Sequence, residues 1–275
     1  MRASWKALVL GLLVLGSMMF SVPFFWTLST ALKTNQEIAK DPTRVIPAQP
    51  TLENFPAAWS ALPFPSFVLN TIFVTVLATF GTVLSSSLVA YGFARFNFKG
   101  NKVLFGLLLA TMMLPSQVTM IPVFMIWRSL GAIDTFFPLI LPAYLGGGAF
   151  NIFLLRQFFM GIPNELDEAM LMDGASYLTI WRHLILPLSG PALATVTVFS
   201  FIANWDNFDG PLIYLNSSER YTVSIGLRMF QDSFGTNMGQ LMSASLIHIL
   251  PTIVLFLAAQ KYFVKGISTS GMGGR

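Results

Sequence analysis

The sequence has no cysteine and only two histidines, His183 and His248, in 275 residues. Without thiols there is no disulfide, no thiolate metal site and no cysteine nucleophile. Two separated histidines cannot build a His-rich metal centre. Charge is nearly as scarce. Only 10% of residues are charged and 54% are hydrophobic, whereas soluble domains run near roughly a quarter charged. A soluble globule this poor in charge could not cover its own surface. The deficit fits a surface that faces lipid, where charge is costly. Sixteen Lys and Arg against twelve Asp and Glu leave a net charge of +4. That excess is too small to argue for nucleic acid, so where the charges sit says more than their sum. There is also no G-x-x-x-x-G-K-[ST] run, so the chain is not expected to hydrolyse ATP itself.

A helix needs roughly 20 predominantly apolar residues, at ~1.5 Å each, to cross ~30 Å of hydrocarbon. Six stretches between charges reach that length and predict spans at 7–32, 66–94, 103–127, 135–156, 190–208 and 242–260. The second is started at Ser66 because Pro56, Pro63 and Pro65 punctuate what precedes it. The first apolar run is about 25 residues long, beyond the roughly 7–15 of a signal-peptide core. It reads as an uncleaved span, although Ser29-Thr30-Ala31 imitates a cleavage site. A β-barrel would show shorter, alternating segments. The expected fold class is therefore an all-α integral membrane protein, six transmembrane helices in a single domain over 1–275.

Orientation follows from the Lys and Arg bias of the connecting segments. With the N-terminus inside, the inner set is Arg2, Lys6, Arg95, Lys99, Lys102, Arg156, Arg182, Lys261, Lys265 and Arg275, ten in all. The outer set is the six residues Lys33, Lys40, Arg44, Arg128, Arg220 and Arg228. The margin is clearest in Ala94–Lys102, where three cations face no anion. Both termini are expected in the cytoplasm. Two long outer loops remain, 33–65 and 210–242, and the first, with six prolines, reads as an irregular cap.

One inner loop carries content: 161–189, between the fourth and fifth spans. Asn164 after Pro163 is an N-cap candidate, and Glu165, Asp167 and Glu168 complement the helix dipole in the first turn. Gly174 after Asp173 supplies a stop. A second helix can start at Ser176 and end before Pro187, and the fifth span can start at Pro191. A helix this short is marginal alone in water, so it must pack on something. Ala169 and Ala175 permit close approach, and Leu166, Met170 and Asp173 share one side by helical spacing.

Here the sequence resembles a family. Glu168-Ala-Met-Leu-Met-Asp173-Gly174-Ala175, followed by Leu184-Ile-Leu-Pro187, is similar to the EAA loop of binding-protein-dependent ABC importer permeases, E-A-A-x-x-D-G-A and then I-x-L-P. Met170 stands for the second alanine and Leu184 for the isoleucine, and both keep apolar character. The resemblance extends over nearly the whole chain. Thr51-Leu-Glu-Asn-Phe55 resembles the segment before the second span, Trp205-Asp-Asn-Phe208 with Pro211-Leu-Ile the end of the fifth, and Gln260-Lys-Tyr-Phe-Val-Lys-Gly266 the closing segment. Within that family the chain most resembles the maltose-type carbohydrate permeases, in particular the smaller six-span subunit. Departures are Asp206-Asn207 where relatives often carry Asn-Asp or Asn-Glu, Asp209-Gly210 before Pro211, and the tail Ser270-Gly-Met-Gly-Gly-Arg275.

The resemblance implies a complex of two permeases, an ATP-binding cassette ATPase dimer and an external or periplasmic sugar-binding protein, in a bacterial or archaeal plasma (inner) membrane. It implies no catalytic residue, cofactor or metal in this chain, with ATP and magnesium held by the ATPase, and no nucleic acid. Glu168, Ala169, Asp173, Gly174 and Ala175 would couple the loop to the ATPase; the plainer reading of Glu168 and Gly174 is local helix punctuation. A carbohydrate is the expected substrate, with glycerol phosphate or another small solute as the alternative. No span interior holds the Arg or Lys that a phosphate ester would want.

Asp206 and Asp209 are three apart and share a face if the helix continues. With Trp205, Asn207 and Phe208 nearby they suit a sugar, since carboxylates accept hydroxyl hydrogen bonds and rings stack on C–H faces. The plainer reading is solvated acids at the membrane edge. Asn70, Thr75 and Ser85-Ser-Ser87 make the second span polar and favour packing between helices over a pathway. His248, inside the sixth span, reads as a satisfied hydrogen bonder, and His183 as interfacial. Gly146-Gly-Gly148 suits a kink or close helix contact. An ion-coupled secondary transporter would show midplane charges or a repeat with broken helices, and a membrane enzyme a clustered nucleophile or metal site. Neither pattern is present.

Overall fold

The computed structural model describes residues 2–232 and 237–270, with side chains at 5–230 and 237–261. The described chain is helical. In order, the helices are α1 (Arg2–Ala31), α2 (Asn35–Lys40), α3 (Asn54–Ala61), α4 (Phe64–Arg95), α5 (Asn101–Thr111), α6 (Ser116–Ser129), α7 (Phe137–Tyr144) and α8 (Ala149–Met160). Then follow α9 (Asn164–Met172), α10 (Tyr177–Ile180), a π-turn over Trp181–Ile185, and α11 (Leu186–Leu188). The last are α12 (Gly190–Trp205), α13 (Asp209–Tyr214), a 3-10 turn over Ser218–Arg220, α14 (Val223–Asp232) and α15 (Met238–Ser270). The tail 271–275 and the cations Lys265 and Arg275 used to orient the chain lie outside the described side chains.

Among the described residues, four stretches are long and apolar enough to cross a membrane: Trp5–Ala31, Phe64–Arg95, Phe137–Met160 and Met238–Lys261. The number rises to six if each of two bent pairs counts as one span. One pair is α5 with α6, bent by 98°. The stretch expected to span at 103–127 is thus two helices meeting at a sharp bend. Pro115 has no N–H to continue the ladder and disfavours helical backbone at Leu114, so the first segment stops at Thr111. The other pair is Tyr177–Leu188 with α12, bent by 84°. Here the second loop helix does not end before Pro187 as expected. The π-turn widens the ladder just ahead of the proline, with the Leu186 N–H donating to the Trp181 carbonyl, and the helix runs through to Leu188.

The chain forms two compact units. One comprises Met1–Pro65 and Ile225–Pro251. Its 33–65 loop is not an irregular cap throughout, because α2 and α3 lie within it. Thr34 caps α2 by accepting from the Glu37 N–H at 3.3 Å. Lys33 is buried, with its ammonium donating to the Arg44 carbonyl and lying 5.6 Å from the Trp26 ring. Asn54 ties α3 back by donating to the Ala31 and Lys33 carbonyls at 2.8 and 2.7 Å.

The other unit comprises Ser66–Ser224 and Thr252–Arg275. The polar residues of α4 are used in packing. Ser85 Oγ contacts the Gly81 and Ala143 carbonyls at 2.7 and 2.6 Å, and Ser86 and Ser87 bond carbonyls of their own helix. Asn70 donates to the Glu219 and Tyr221 carbonyls at 2.8 and 3.0 Å. The three consecutive glycines separate α7 from α8 with φ of 128°, 69° and 87°. At Gly147 a Cβ would sit 2.5 Å from the Thr82 carbonyl oxygen, so both the kink and the close contact require glycine there.

Candidate functional site

The 161–189 loop is built on the end of α4. Arg95 is the last residue of that helix, and its guanidinium reaches three groups at the start of α9. Nη2 donates to the Ile162 carbonyl at 3.0 Å, Nη1 to Asn164 Oδ1 at 2.6 Å, and Nε lies 2.9 Å from Asp167 Oδ2. The two ion-pair side chains are only 5% and 13% exposed. Burial raises the Asp167 carboxyl above its ordinary value of 3.8, and Arg95 opposes that rise. Asn164 is therefore not the N-cap. Pro163 occupies that position, and the Asn164 side chain is used on Arg95.

The other end of α9 is closed by backbone. The Gly174 N–H donates to the Leu171 carbonyl at 3.0 Å and the Ala175 N–H to the Met170 carbonyl at 2.9 Å, a Schellman closure with Gly174 at φ +82°. A Cβ on Gly174 would meet nothing within 4 Å, so backbone conformation and not space selects glycine. Ser176 caps the next helix, accepting from the Thr179 N–H at 3.2 Å. Phe96 packs edge-on against Tyr177 at 5.0 Å, a second tie between α4 and the loop.

The short helix has two unlike sides. Asp167 and Met170 turn inward. Met170 and Ala175 pack on a buried cluster that includes Tyr91, Leu155, Phe159, Ile180 and Trp181. Glu165, Leu166, Glu168, Ala169 and Met172 are exposed, Met172 at 88%. The side expected to join Leu166, Met170 and Asp173 divides at this edge, since only Met170 packs inward. Of the five loop residues singled out by sequence, Glu168, Ala169, Asp173 and Gly174 are exposed and Ala175 is half-buried. Sequence reasoning missed the Arg95–Asp167 pair. The only sign of it was an acid beside Glu168 and a cation in the 94–102 segment, with nothing to connect them.

The second set of candidates is not brought onto one face. Helix α12 stops at Trp205 and α13 starts at Asp209, so the helix does not continue between the two acids. Trp205 is buried and stacked on Phe201, with ring centroids 5.4 Å apart and planes at 9°. Asn207 shapes the turn. Its Oδ1 accepts from the Gly210 N–H at 3.1 Å, and its carbonyl accepts from Ser224 Oγ at 2.8 Å. Asp206 and Asp209 are exposed at the ends of their helices. His183 is exposed and His248 half-buried.

A second ionic knot lies in the segment before α7. Asp134, at φ +58°, accepts from the Asn216 N–H at 2.9 Å, the Ser217 N–H at 3.0 Å and the Ser217 hydroxyl, and pairs with Arg220 at 3.0 Å. These donors, the Ser217 hydroxyl first, hold its carboxyl down to about 2. Beside it a mostly apolar cavity of about 580 Å³ opens between Phe73, Phe136, Ile140, Tyr144 and Arg220.

Residues 81–269 match the family of binding-protein-dependent transport system inner membrane components. The arabinooligosaccharides transport system permease protein AraQ of Bacillus subtilis (strain 168) is 32% identical, over 94% of this chain and 92% of its own length. The trehalose/maltose transport system permease protein MalG of Thermococcus litoralis is 31% identical over 96% of each. Among solved structures, a chain of a bacterial ABC transporter involved in import of the acidic polysaccharide alginate superposes with a TM-score of 0.83, covering 94% of this chain and 96% of that one, at 23% identity. That likeness is one of fold.

Proposed function

The chain belongs to the binding-protein-dependent transport system inner membrane component family, and on that premise we propose that it is the transmembrane permease subunit of an ATP-driven carbohydrate importer. As a single permease domain over 1–275 it supplies half of the sugar pathway. A second permease supplies the other half, an ATP-binding cassette dimer drives the cycle with ATP and magnesium, and an external or periplasmic binding protein delivers the sugar. The apolar stretches act as six spans, with the broken 101–129 segment and the α12 segment each counted as one. Both termini and the 161–189 loop face the cytoplasm of a bacterial or archaeal cell.

One observation carries the reading. Helix α9 is fastened to its own chain along one side by Arg95, Met170 and Ala175, and leaves Glu165, Leu166, Glu168, Ala169 and Met172 uncovered on the other. A nine-residue helix is too short to stand alone. Rigidly based and bare outside, it suits docking against the ATPase, so that a push on α9 passes through Arg95 to the end of α4. In this reading Glu168, Ala169 and Asp173 contact the ATPase, and Gly174 and Ala175 shape the turn. Asp206 and Asp209 are pathway candidates through their exposed carboxylates. Trp205 and Asn207 support that segment through packing and turn geometry.

The absence of cysteine makes a topology test direct. A Met172→Cys chain in intact spheroplasts should resist a membrane-impermeant maleimide and react once the membrane is opened. Reaction in the intact cells removes the docking role. In proteoliposomes carrying the complete importer and its binding protein, oligosaccharide uptake should require ATP and persist when proton and sodium gradients are collapsed. Uptake that needs a gradient instead of ATP places the chain among secondary transporters.

A further inference from the structure

The structure pairs some of its cations and leaves others clustered. Arg44, Arg95 and Arg220 each lie within ion-pair distance of a carboxylate. Lys99, Lys102 and Arg156 are in no ion pair among the described residues. All three line one cavity of about 590 Å³, formed by the end of α4, the turn into α5 and the end of α8. No acid lines it; the rest of its wall includes Asn97, Phe98 and Met160. Arg156 is held in place within it. Its Nε donates to the Phe93 carbonyl at 3.4 Å, and its guanidinium lies 4.1 Å over the Phe105 ring. A half-buried cation positioned this way, with no internal counter-ion, favours an external anion.

The surroundings specify what kind of anion. Directly beyond Lys102, the exposed surface of α5 is apolar: Val103, Leu104 and Leu107 are 66%, 50% and 60% uncovered. A collar of cations over bare aliphatic helix matches a molecule with a charged head and hydrocarbon tails. We propose that this cavity binds the phosphate headgroup of an anionic phospholipid from the leaflet on the α9 side, with Arg156 and Lys102 on the phosphate, Lys99 at its rim, and the acyl chains along α5. The site shares α4 with the loop anchor, since Ala94 lines the cavity and Arg95 holds α9. Headgroup occupancy would therefore stiffen the base of the loop.

The test uses the delipidated full-length chain in neutral detergent, followed by native mass spectrometry during titration with dioleoyl phosphatidylglycerol or dioleoyl phosphatidylcholine. One phosphatidylglycerol should bind in preference to phosphatidylcholine. Arg156→Gln and Lys102→Gln should each weaken it roughly fivefold, and the two together by more than roughly tenfold. Lys102→Arg should retain binding, and Arg128→Gln, outside the cavity, should leave it unchanged. Equal binding of the two lipids, or full affinity in the double variant, overturns the proposal. So does displacement of the lipid by millimolar inorganic phosphate, which assigns the cavity to a free anion. The assembled importer should carry the same lipid. Its absence there, with binding to the isolated chain, assigns the cavity to a partner subunit and equally overturns the lipid reading.

Discussion

Asp167 Oδ2 stands 2.9 Å from Arg95 Nε, joining the first turn of a nine-residue helix to the last residue of a 32-residue one. The pair is shielded from water and its flanking hydrogen bonds lie on the same guanidinium. Removing one partner leaves a buried charge behind, which costs far more than an exposed pair is worth. Arg95→Ala is expected to destabilise the loop by about 3 kcal/mol. Arg95→Lys should recover only part, because an ammonium cannot make the forked contact. Thermal unfolding and ATP-driven uptake should fall together in Arg95→Ala. Unchanged values would make the pair an ornament of the loop.

The same carboxyl gives the loop a pH dependence. Burial raises the folded value of Asp167 above 3.8. Its contribution to folding is therefore fully present below 3.8 and is lost as pH rises through the raised folded value. Hydrogen exchange over 164–172, corrected for its intrinsic pH dependence, should speed up as pH rises through that window. Asp167→Asn should flatten the response. A response of the opposite sign would mean that Arg95 outweighs burial.

Asp134 behaves in the opposite sense. Its carboxyl is held at about 2 by the donors of 216–220. Its contribution is present above 3.8 and lost as pH falls toward about 2. Protection of amides 216–220 should decline between those limits in the native chain and be low and pH-independent in Asp134→Ala. The two carboxyls can thus be read separately in one acid titration.

Gly147 and Gly148 both have positive φ but differ in space. Gly148→Ala meets only Asn151 at 3.7 Å and should cost about 2 kcal/mol of backbone strain, since φ 87° with ψ 140° is an extended conformation that side chains rarely adopt. Gly147→Ala adds a Cβ 2.5 Å from the Thr82 carbonyl and should cost at least about 3 kcal/mol, lowering membrane yield and melting temperature. Equal losses would mean that α4 can retreat from the break.

At Gly174 the cost is conformational alone. Gly174→Ala should lose about 1 kcal/mol and Gly174→Val roughly 2, with a matching decline in uptake. Wild-type melting in Gly174→Val would remove the need for glycine in this turn.

What could be read from sequence was local. Gly174 and Ser176 announce themselves because a left-handed stop and a hydroxyl cap act within three residues. Charge-free length gave the long helices for the same reason. Arg95 and Asp167 are 72 positions apart, and no periodicity links them. Counting charges also passed over Pro115, whose effect on the backbone bends the third apolar stretch although its composition is uniform. Trp205 looked available for a ligand because aromatic side chains serve cores and binding sites alike, and only packing decides between them.

The division of α9 into a fastened flank and an open one confines its freedom to change. Substitutions at Asp167 or Met170 must answer to the chain's own interior. Those at Glu165, Leu166, Glu168, Ala169 and Met172 answer only to whatever lies outside. If the proposed docking role holds, pairing this subunit with a foreign motor should require rewriting just that short outward strip.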